Sequence, residues 1–211
     1  MTRAIGIIAG AVLILLFATL MIVVMPSTQM QSSLRPSEGL KPYTEAALRG
    51  RKVYVSLGCV YCHSQQPRDP RQAPDNTRGW GRPSVPGDYA YDYPHLLGTM
   101  RTGPDLFNIG ARQPSQDWHL AHLYNPRALV KGSTMPAFPF LFDEVDSVGS
   151  ADVLVKMPEG FGPPGSKLIA SQDALDLVVY LKEMDHTYPV KAIPVIEKKS
   201  DAAAAKPEKK S

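Results

Sequence analysis

Cysteine is scarce in this sequence: the 211 residues contain only two, at positions 59 and 62. Two cysteines this close together do not make the disulfide framework of a small secreted domain, so they must serve a local purpose. Excess charge is also small, because 23 basic residues stand against 20 acidic ones and give a formal net charge of +3. This balance argues against a nucleic-acid-binding protein. No internal repeat is visible, which excludes a solenoid.

Long apolar runs are likewise limited to one, at the N-terminal end. Residues 4–25 carry no charged side chain and lie between Arg3 and Pro26. As an α-helix this run would be about 33 Å long, enough to cross the ~30 Å hydrocarbon core of a bilayer. A cleaved signal peptide is the alternative, but its apolar core is usually about 7–15 residues, and no small-x-small cleavage site follows here. We therefore expect an uncleaved transmembrane anchor over residues 1–26, and Arg3 favours a cytoplasmic N-terminus.

Proline and glycine, by contrast, are abundant, with 20 and 16 copies, and they predict long ordered loops. Residues 27–42 are expected to form a linker, residues 43–190 one domain, and residues 191–211, rich in Lys, Ala and Glu, a disordered tail. Three stretches of the domain have helical patterns: residues 43–57, which Thr44 can cap, residues 117–124, and residues 171–184, which Ser171 can cap. Residues 64–118 and 132–165 are predicted to be mostly irregular.

The two cysteines belong to the run Cys59-Val60-Tyr61-Cys62-His63. This is the C-x-x-C-H pattern of covalent c-type haem attachment. Two thiols three residues apart can add to the two vinyl groups on one edge of a porphyrin. The adjacent histidine then lies under the iron and ligates it through a ring nitrogen. The run therefore predicts one haem c, bound through Cys59 and Cys62, with His63 as an axial ligand. Because haem is attached outside the bacterial cytoplasmic membrane, the domain is expected in the periplasm.

Two other interpretations of the cysteine pair are weaker. A thioredoxin-like redox pair needs a preceding strand in a βαβ unit, and no such pattern precedes Cys59. A zinc site needs further ligands, and without a second cysteine pair these would have to come from His95, His119 or His122.

Four methionines after the haem motif are candidates for the sixth iron ligand. Met184 stands at the end of a predicted helix and is better explained as a core residue. Met135 precedes Pro136 in an irregular stretch, as a sulfur held by a rigid loop should. Met157, which also precedes a proline, is the main competitor, and Met100 is the third. Histidine–methionine ligation would close both axial positions, as expected for an electron carrier.

Several blocks outside the haem motif are more specific than the motif itself. They occur in a fixed order over residues 1–142 and the last helix: 40–44 (LKPYT), 58–65 (GCVYCHSQ), 101–106 (RTGPDL), 117–119 (DWH), 122–123 (HL), 125–127 (NPR) and 135–141 (MPAFPFL). With these blocks the chain resembles the monohaem, membrane-anchored cytochrome c subunit of cbb3-type haem-copper oxidases. It departs from that family at Gln66 and Met100, in an insertion at residues 143–170 and in the charged tail.

The resemblance implies an all-α fold: a class I cytochrome c-like haem domain with long loops, preceded by one N-terminal transmembrane helix. It also implies that Met135 is the sixth ligand. Pro104 resembles the proline beside the axial histidine in many c-type cytochromes, where a carbonyl accepts the ring N–H. Arg101 and Arg112 are either partners of the haem propionates or exposed loop charges.

Three side chains near residue 120 leave their roles open. Trp118 is either a cover for a haem edge or an ordinary buried aromatic residue. His119 and His122 are three residues apart, and a hydrogen-bonded or surface role is favoured over a metal pair.

The function implied by the resemblance is electron transfer, not catalysis by this chain alone. The subunit would relay electrons among c-type cytochrome subunits and to the catalytic subunit that reduces oxygen, in the inner membrane. One alternative is the anchored cytochrome c subunit of a nitric oxide reductase, against which the RTGPDL block argues. The other is a haem sensor or peroxidase-like protein with an open iron coordination position.

Overall fold

The computed structural model describes residues 2–33 and 35–190, and most of the ordered elements are helices. The chain begins with α1 (Thr2–Thr19), a π-helical turn (Leu20–Val24) and α2 (Met25–Ser33), which follow one another directly. The apolar stretch Arg3–Gln29 is long enough to span a membrane, and none of it is buried against the rest of the protein. This agrees with the predicted anchor, and the helix extends beyond Pro26 into the range expected to be a linker.

The π-helical turn lies directly before Pro26, which accounts for it. Proline has no N–H, and its ring crowds the carbonyl group four residues earlier, so the regular α-helical pattern cannot continue there. The backbone N–H of Met25 donates instead to the carbonyl of Leu20, five residues back. This wider turn lets one helix continue through the proline.

The first helix of the domain is α3 (Glu45–Ser56), as the sequence predicts. The Thr44 hydroxyl caps it by accepting a hydrogen bond from the Ala47 N–H. The same Thr44 side chain donates to Glu183 at 2.5 Å, and the Thr44 N–H donates to the other oxygen of that carboxylate. This ties the start of α3 to the end of the last helix.

The last helix, α7 (Gln172–Glu183), crosses α3 and forms the core with it. Ser171 caps α7, as predicted, by accepting from the Ala174 N–H. The crossing is closest at Gly50, where an added Cβ would lie 1.9 Å from the carbonyl oxygen of Asp176. Arg49 then closes the contact with two hydrogen bonds to the Asp176 carboxylate. The buried side chains at the crossing include Ala47, Tyr54, Leu177, Val178 and Tyr180.

Short helices connect these two: α4 (Ile109–Arg112), α5 (Gln116–Tyr124) and α6 (Pro126–Leu129), with 3₁₀ turns at Cys59–Tyr61, Pro86–Tyr89 and Pro139–Leu141. The predicted helix at residues 117–124 is confirmed as α5, and its cap is Ser115, which accepts from the Trp118 N–H.

The all-α prediction needs one correction, because the chain also contains a small sheet. Strands β1 (Phe142–Val145) and β2 (Lys167–Ala170) pair antiparallel, with Phe142 opposite Ala170. Leu154 forms a bridge on the other side of β2, opposite Ile169. The 143–170 insertion is therefore partly ordered as a sheet, and residues 132–165 are not wholly irregular. The class I cytochrome c-like fold remains a prediction.

The second part of the linker, residues 35–42, is attached to the domain. The Ser37 N–H donates to the carbonyl of Gly87, and the Ser37 hydroxyl donates to Asp88. Gly39 lies against Tyr188, with a φ of +98° that favours glycine. Residues 35–42 are thus fixed before α3 begins. The predicted tail at 191–211 lies outside the described residues.

Candidate haem site

The cysteine motif is placed by the end of α3. Gly58 adopts a φ of +71°, which turns the chain out of the helix into the 3₁₀ turn Cys59–Tyr61. The N–H groups of Cys62 and His63 both donate to the carbonyl of Cys59, so the motif is one compact turn. Cys59 is half-buried and Cys62 is exposed. Burial raises the pKa of Cys59 to about 11.

The ring of His63 is oriented by Pro104, 41 residues further along the chain. The Nδ1 atom lies 2.7 Å from the Pro104 carbonyl oxygen. A carbonyl oxygen only accepts, so Nδ1 carries the proton and Nε2 keeps its lone pair for a metal ion. The carbonyl that accepts the hydrogen bond from the His63 ring thus belongs to Pro104 itself. Burial lowers the pKa of His63, the hydrogen bond to Pro104 opposes this, and the charge of Arg112 lowers it further.

Gly103 provides the space in which this ring sits. Its N–H donates to the carbonyl of Cys62 at 2.9 Å. This hydrogen bond brings the loop around residue 103 beside the cysteine motif. A Cβ at this position would lie 2.2 Å from the His63 Cε1 atom and 2.7 Å from each ring nitrogen. No other amino acid fits here without moving the imidazole.

A buried carboxylate fixes the two loops that surround His63. Asp105 accepts hydrogen bonds from the Ser64 hydroxyl at 2.6 Å and from the N–H groups of Gln66 and Phe107. Burial raises the pKa of Asp105, against the effect of these bonds. The residues that follow His63 and those that follow Pro104 are thereby joined around one side chain.

Arg101 belongs to the same network and is only 14% exposed. Its guanidinium donates to Asp75 at 2.7 Å, to the Ser64 hydroxyl and to the carbonyl of Gln66, and it lies over the ring of Trp80. The alternative that Arg101 is an exposed loop charge is therefore wrong. The contacts give Arg101 a structural role that does not depend on a haem propionate, and the propionate role stays a prediction.

Arg112 is also half-buried rather than exposed. It donates to the main-chain carbonyl of Asp105 at 2.9 Å, and it is close enough to His63 to lower the pKa of that imidazole. Of the two arginines, Arg112 is the one whose charge affects the histidine of the motif.

Helix α5 contributes two histidines with different surroundings. The Nε2 atom of His119 lies 2.8 Å from the carbonyl of Gln113, so this buried side chain has the hydrogen-bonded role favoured from the sequence. His122 stacks on Trp118, with ring centroids 4.5 Å apart and planes 13° from parallel. Its Nδ1 atom is buried and has no hydrogen-bond partner among the described residues. Burial lowers the pKa of His122 to about 4, with smaller effects from His119 and His63.

The candidate sixth ligand lies in the loop after α6. Arg127 donates to the carbonyls of Ser133 and Met135, and the Met135 N–H donates to the Ser133 hydroxyl. The Phe138 N–H donates to the carbonyl of Leu123, which joins this loop to the end of α5. The Met135 side chain is half-buried against the core.

The other methionines differ in exposure. Met184 is 1% exposed, which confirms that it is a core residue, whereas Met100 is 57% exposed. Met157 is half-buried, as Met135 is, so burial alone does not separate these two. Among the described residues, Met135 is the one of these methionines whose main-chain carbonyl accepts a hydrogen bond from an arginine side chain.

Three features of the candidate site were not predicted from the sequence. They are the space at Gly103, the unpaired nitrogen of His122 and the Asp75–Arg101–Asp105 network. Gly103 and Asp105 lie within the RTGPDL block, which carries part of the family resemblance, but the sequence did not predict their contacts. For His122 the sequence favoured a hydrogen-bonded or surface role over a metal pair, but it did not show that Nδ1 would be buried without a partner among the described residues.

These residues fit a haem better than a zinc ion. His63 presents a free Nε2, and Gly103 leaves room for the imidazole ring. Within the described ranges, no three His, Cys, Asp or Glu side chains are placed to hold a metal ion. The zinc alternative therefore has no support.

Comparison with known families agrees with the resemblance seen in the sequence. The family model for the cytochrome c oxidase mono-heme subunit, FixO, matches residues 1–200. No curated protein matches the chain with significance. The family match covers nearly the whole sequence and favours an oxidase over the nitric oxide reductase alternative. The chain therefore belongs to the FixO family of cytochrome c oxidase mono-heme subunits.

Proposed function

We propose that this chain is the electron-transfer subunit of a cbb3-type oxidase and carries one covalent haem c. The observation that carries the proposal is the geometry of His63: Nδ1 is held by the Pro104 carbonyl, and Nε2 is left free beside two cysteines on the same turn. Thioether bonds to Cys59 and Cys62 would fix the haem, which when bound supplies an iron that alternates between the ferrous and ferric states.

The side chains have separate tasks in this proposal. Pro104 and Gly103 hold the His63 ring in one tautomer and one orientation, which keeps the ligating nitrogen aimed. Asp105 and Arg101 hold the two loops that carry these residues. Met135 would hold the iron together with His63, and its loop is held by Arg127, so that the sulfur would be presented from a fixed main chain. Ligation by sulfur raises the reduction potential and leaves no open coordination position.

The membrane helix supports the proposed location. Arg3–Gln29 is long and apolar enough to anchor the chain in the inner membrane with a single pass. Since haem is attached on the periplasmic side, the domain would lie there. In that place it would receive electrons from other c-type cytochrome subunits and pass them to the catalytic subunit. The chain would bind no substrate of its own.

The test is purification of the full chain from its membrane in mild detergent. The denatured protein should show one covalent haem in the pyridine haemochrome assay, and Cys59→Ala with Cys62→Ala should abolish it. The ferric protein should show the weak sulfur–iron absorption band at the red end of the visible spectrum, and Met135→Ala should remove that band. Catalytic and other cytochrome subunits should be retained during purification.

Two outcomes would change the assignment. If the band is absent and the reduced protein binds carbon monoxide readily, the iron is open and the electron-carrier role is wrong. If Met135→Ala keeps the band, then the ligand is another methionine, and Met157→Ala and Met100→Ala identify it.

A further inference from the structure

His122 has an unusual position for a buried histidine. Among the residues that the structure describes, its Nδ1 is the one buried side-chain nitrogen or oxygen atom that has no hydrogen-bond partner. Folded proteins pair the great majority of such atoms, because leaving one unpaired loses the hydrogen bond it makes with water. The ring is held flat against Trp118, which limits its rotation. The orientation of the ring is therefore restricted.

Two observations place His122 near the segments that carry the proposed axial ligands. Leu123, the next residue, accepts the hydrogen bond from Phe138 that joins α5 to the Met135 loop. On the other side, the charge of His63 contributes to the lowered pKa of His122, so the two imidazoles are within electrostatic reach. His119 makes a useful contrast, because its Nε2 is already paired with the carbonyl of Gln113.

We propose that His122 is a positioning residue of the haem site, whose Nδ1–H donates a hydrogen bond to an acceptor of the loaded site. The acceptor is the sulfur of Met135 or a carboxylate of the haem; both lack a proton and both accept from an N–H. This inference rests on the proposed function. A hydrogen bond to either group changes the charge balance at the iron, so His122 would tune the reduction potential without touching the metal.

Two substitutions separate the nitrogen from the ring. His122→Phe keeps an aromatic ring for stacking on Trp118 and removes the donor. His122→Asn loses the stack but keeps an amide N–H close to the position of Nδ1. His119→Phe is the matched control, since it removes a buried histidine of the same helix whose hydrogen bond lies within the protein.

The measurements are made on the full-length holoprotein in detergent. Covalent haem is quantified first: if the wild-type protein has none, the proposed function itself fails. With haem present, the redox titration gives the equilibrium constant for one-electron reduction. His122→Phe should change this constant by about three- to tenfold, as expected for one net hydrogen bond, where tenfold corresponds to about 59 mV. His122→Asn should restore most of the change, and His119→Phe should leave the constant unaltered.

The red-end sulfur–iron band identifies the acceptor. If Met135 accepts, the band of His122→Phe shifts or weakens; if a haem carboxylate accepts, the band stays and only the constant changes. An unchanged constant together with an unchanged band in His122→Phe would overturn the proposal. So would equal changes in the Phe and Asn variants, because the effect would then come from packing. Should His122→Phe fail to incorporate haem, His122→Leu replaces it as the variant without a donor: a constant changed about three- to tenfold and largely restored in His122→Asn supports the proposal, and an unchanged constant refutes it.

Discussion

Gly103 lies directly against the ring of His63, so that a Cβ on Gly103 would come within 2.2 Å of the His63 Cε1 atom. The same ring is held on another side by the Pro104 carbonyl, 2.7 Å from Nδ1. Two consecutive residues thus confine the imidazole: Gly103 leaves space for the ring, and the Pro104 carbonyl accepts the hydrogen bond from its Nδ1–H. The ring has little freedom before any metal is bound, which is the preorganisation that a redox centre needs.

Replacement of Gly103 by alanine should therefore displace the histidine. The φ of Gly103 lies outside the left-handed region, so the alanine backbone is allowed and the effect is steric. We expect less holoprotein and a spectrum of altered axial ligation, with a loss of stability of about 1–3 kcal/mol from overpacking. Haem content, absorption spectrum and thermal unfolding measure these effects. Thr102→Ala, at the exposed neighbouring residue, is the control, and a Gly103→Ala protein with the wild-type spectrum would contradict the proposed confinement.

Removal of Arg101 should destabilise the domain strongly. The Asp75 carboxylate is fully buried, and Arg101 is its ion-pair partner at 2.7 Å. Arg101→Met leaves a buried charge unpaired, a change that costs about 3–5 kcal/mol. The double variant Arg101→Met with Asp75→Asn removes both charges and should recover part of that loss. Denaturant unfolding of wild type, both single variants and the double variant gives the coupling energy. Additive effects would show that the two side chains do not interact.

The local features of this fold were predictable from the sequence. Caps at Thr44 and Ser171 and the apolar pattern of residues 171–184 identified α3 and α7, since these signals lie within one or two turns of helix. The haem motif was predictable for the same reason: its chemistry requires neighbouring residues. Strand β1 was not, because Asp143 and Glu144 at its centre have low β-propensity, and its partner is more than twenty residues away.

The missed contacts join residues that are distant in the sequence. Arg101 meets Asp75 across 26 positions and His63 meets Pro104 across 41. Nothing in one sequence pairs a particular arginine with a particular aspartate. The unpaired nitrogen of His122 also depends on packing, because it is defined by what surrounds it. The sequence therefore predicts which residues carry the chemistry, but it does not predict which residues orient them.

Stability should fall in acid because of Asp88. This carboxylate is fully buried and accepts hydrogen bonds from Arg82, from the Val85 N–H and from the Ser37 hydroxyl. Burial raises the pKa of Asp88, but the hydrogen bonds and the charge of Arg82 outweigh it, and the net shift is downward. A lowered folded-state pKa stabilises the protein above the unfolded value of about 3.9, and this contribution is lost as the pH falls through the folded-state pKa.

The measurement is the free energy of unfolding between about pH 6 and about pH 3. The wild-type value should decline at the acid end, and Asp88→Asn should be less stable at neutral pH but show a shallower decline. Asp75 also has a lowered pKa and contributes to the same decline, so Asp75→Asn is a parallel variant. Identical slopes in wild type and Asp88→Asn would show that Asp88 is not responsible.

Alanine at Gly50 offers a test in which two effects have opposite signs. Gly50 lies in the middle of α3, where alanine is favoured over glycine by about 1 kcal/mol from helix propensity alone. The α3–α7 crossing opposes this, because the added Cβ would lie 1.9 Å from the Asp176 carbonyl oxygen and 2.8 Å from the Leu177 nitrogen. Both are main-chain atoms of α7 and neither can rotate away, so the helices must separate. We expect the steric clash at the crossing to be the larger effect. The free energy of unfolding should then fall by about 1–3 kcal/mol, and the midpoint of thermal unfolding should be lower. Since α3 leads directly into the cysteine turn, haem content should fall as well. A Gly50→Ala protein more stable than wild type would mean that the helix propensity of alanine outweighs the steric clash at the crossing. It would also mean that α3 and α7 are not packed this closely.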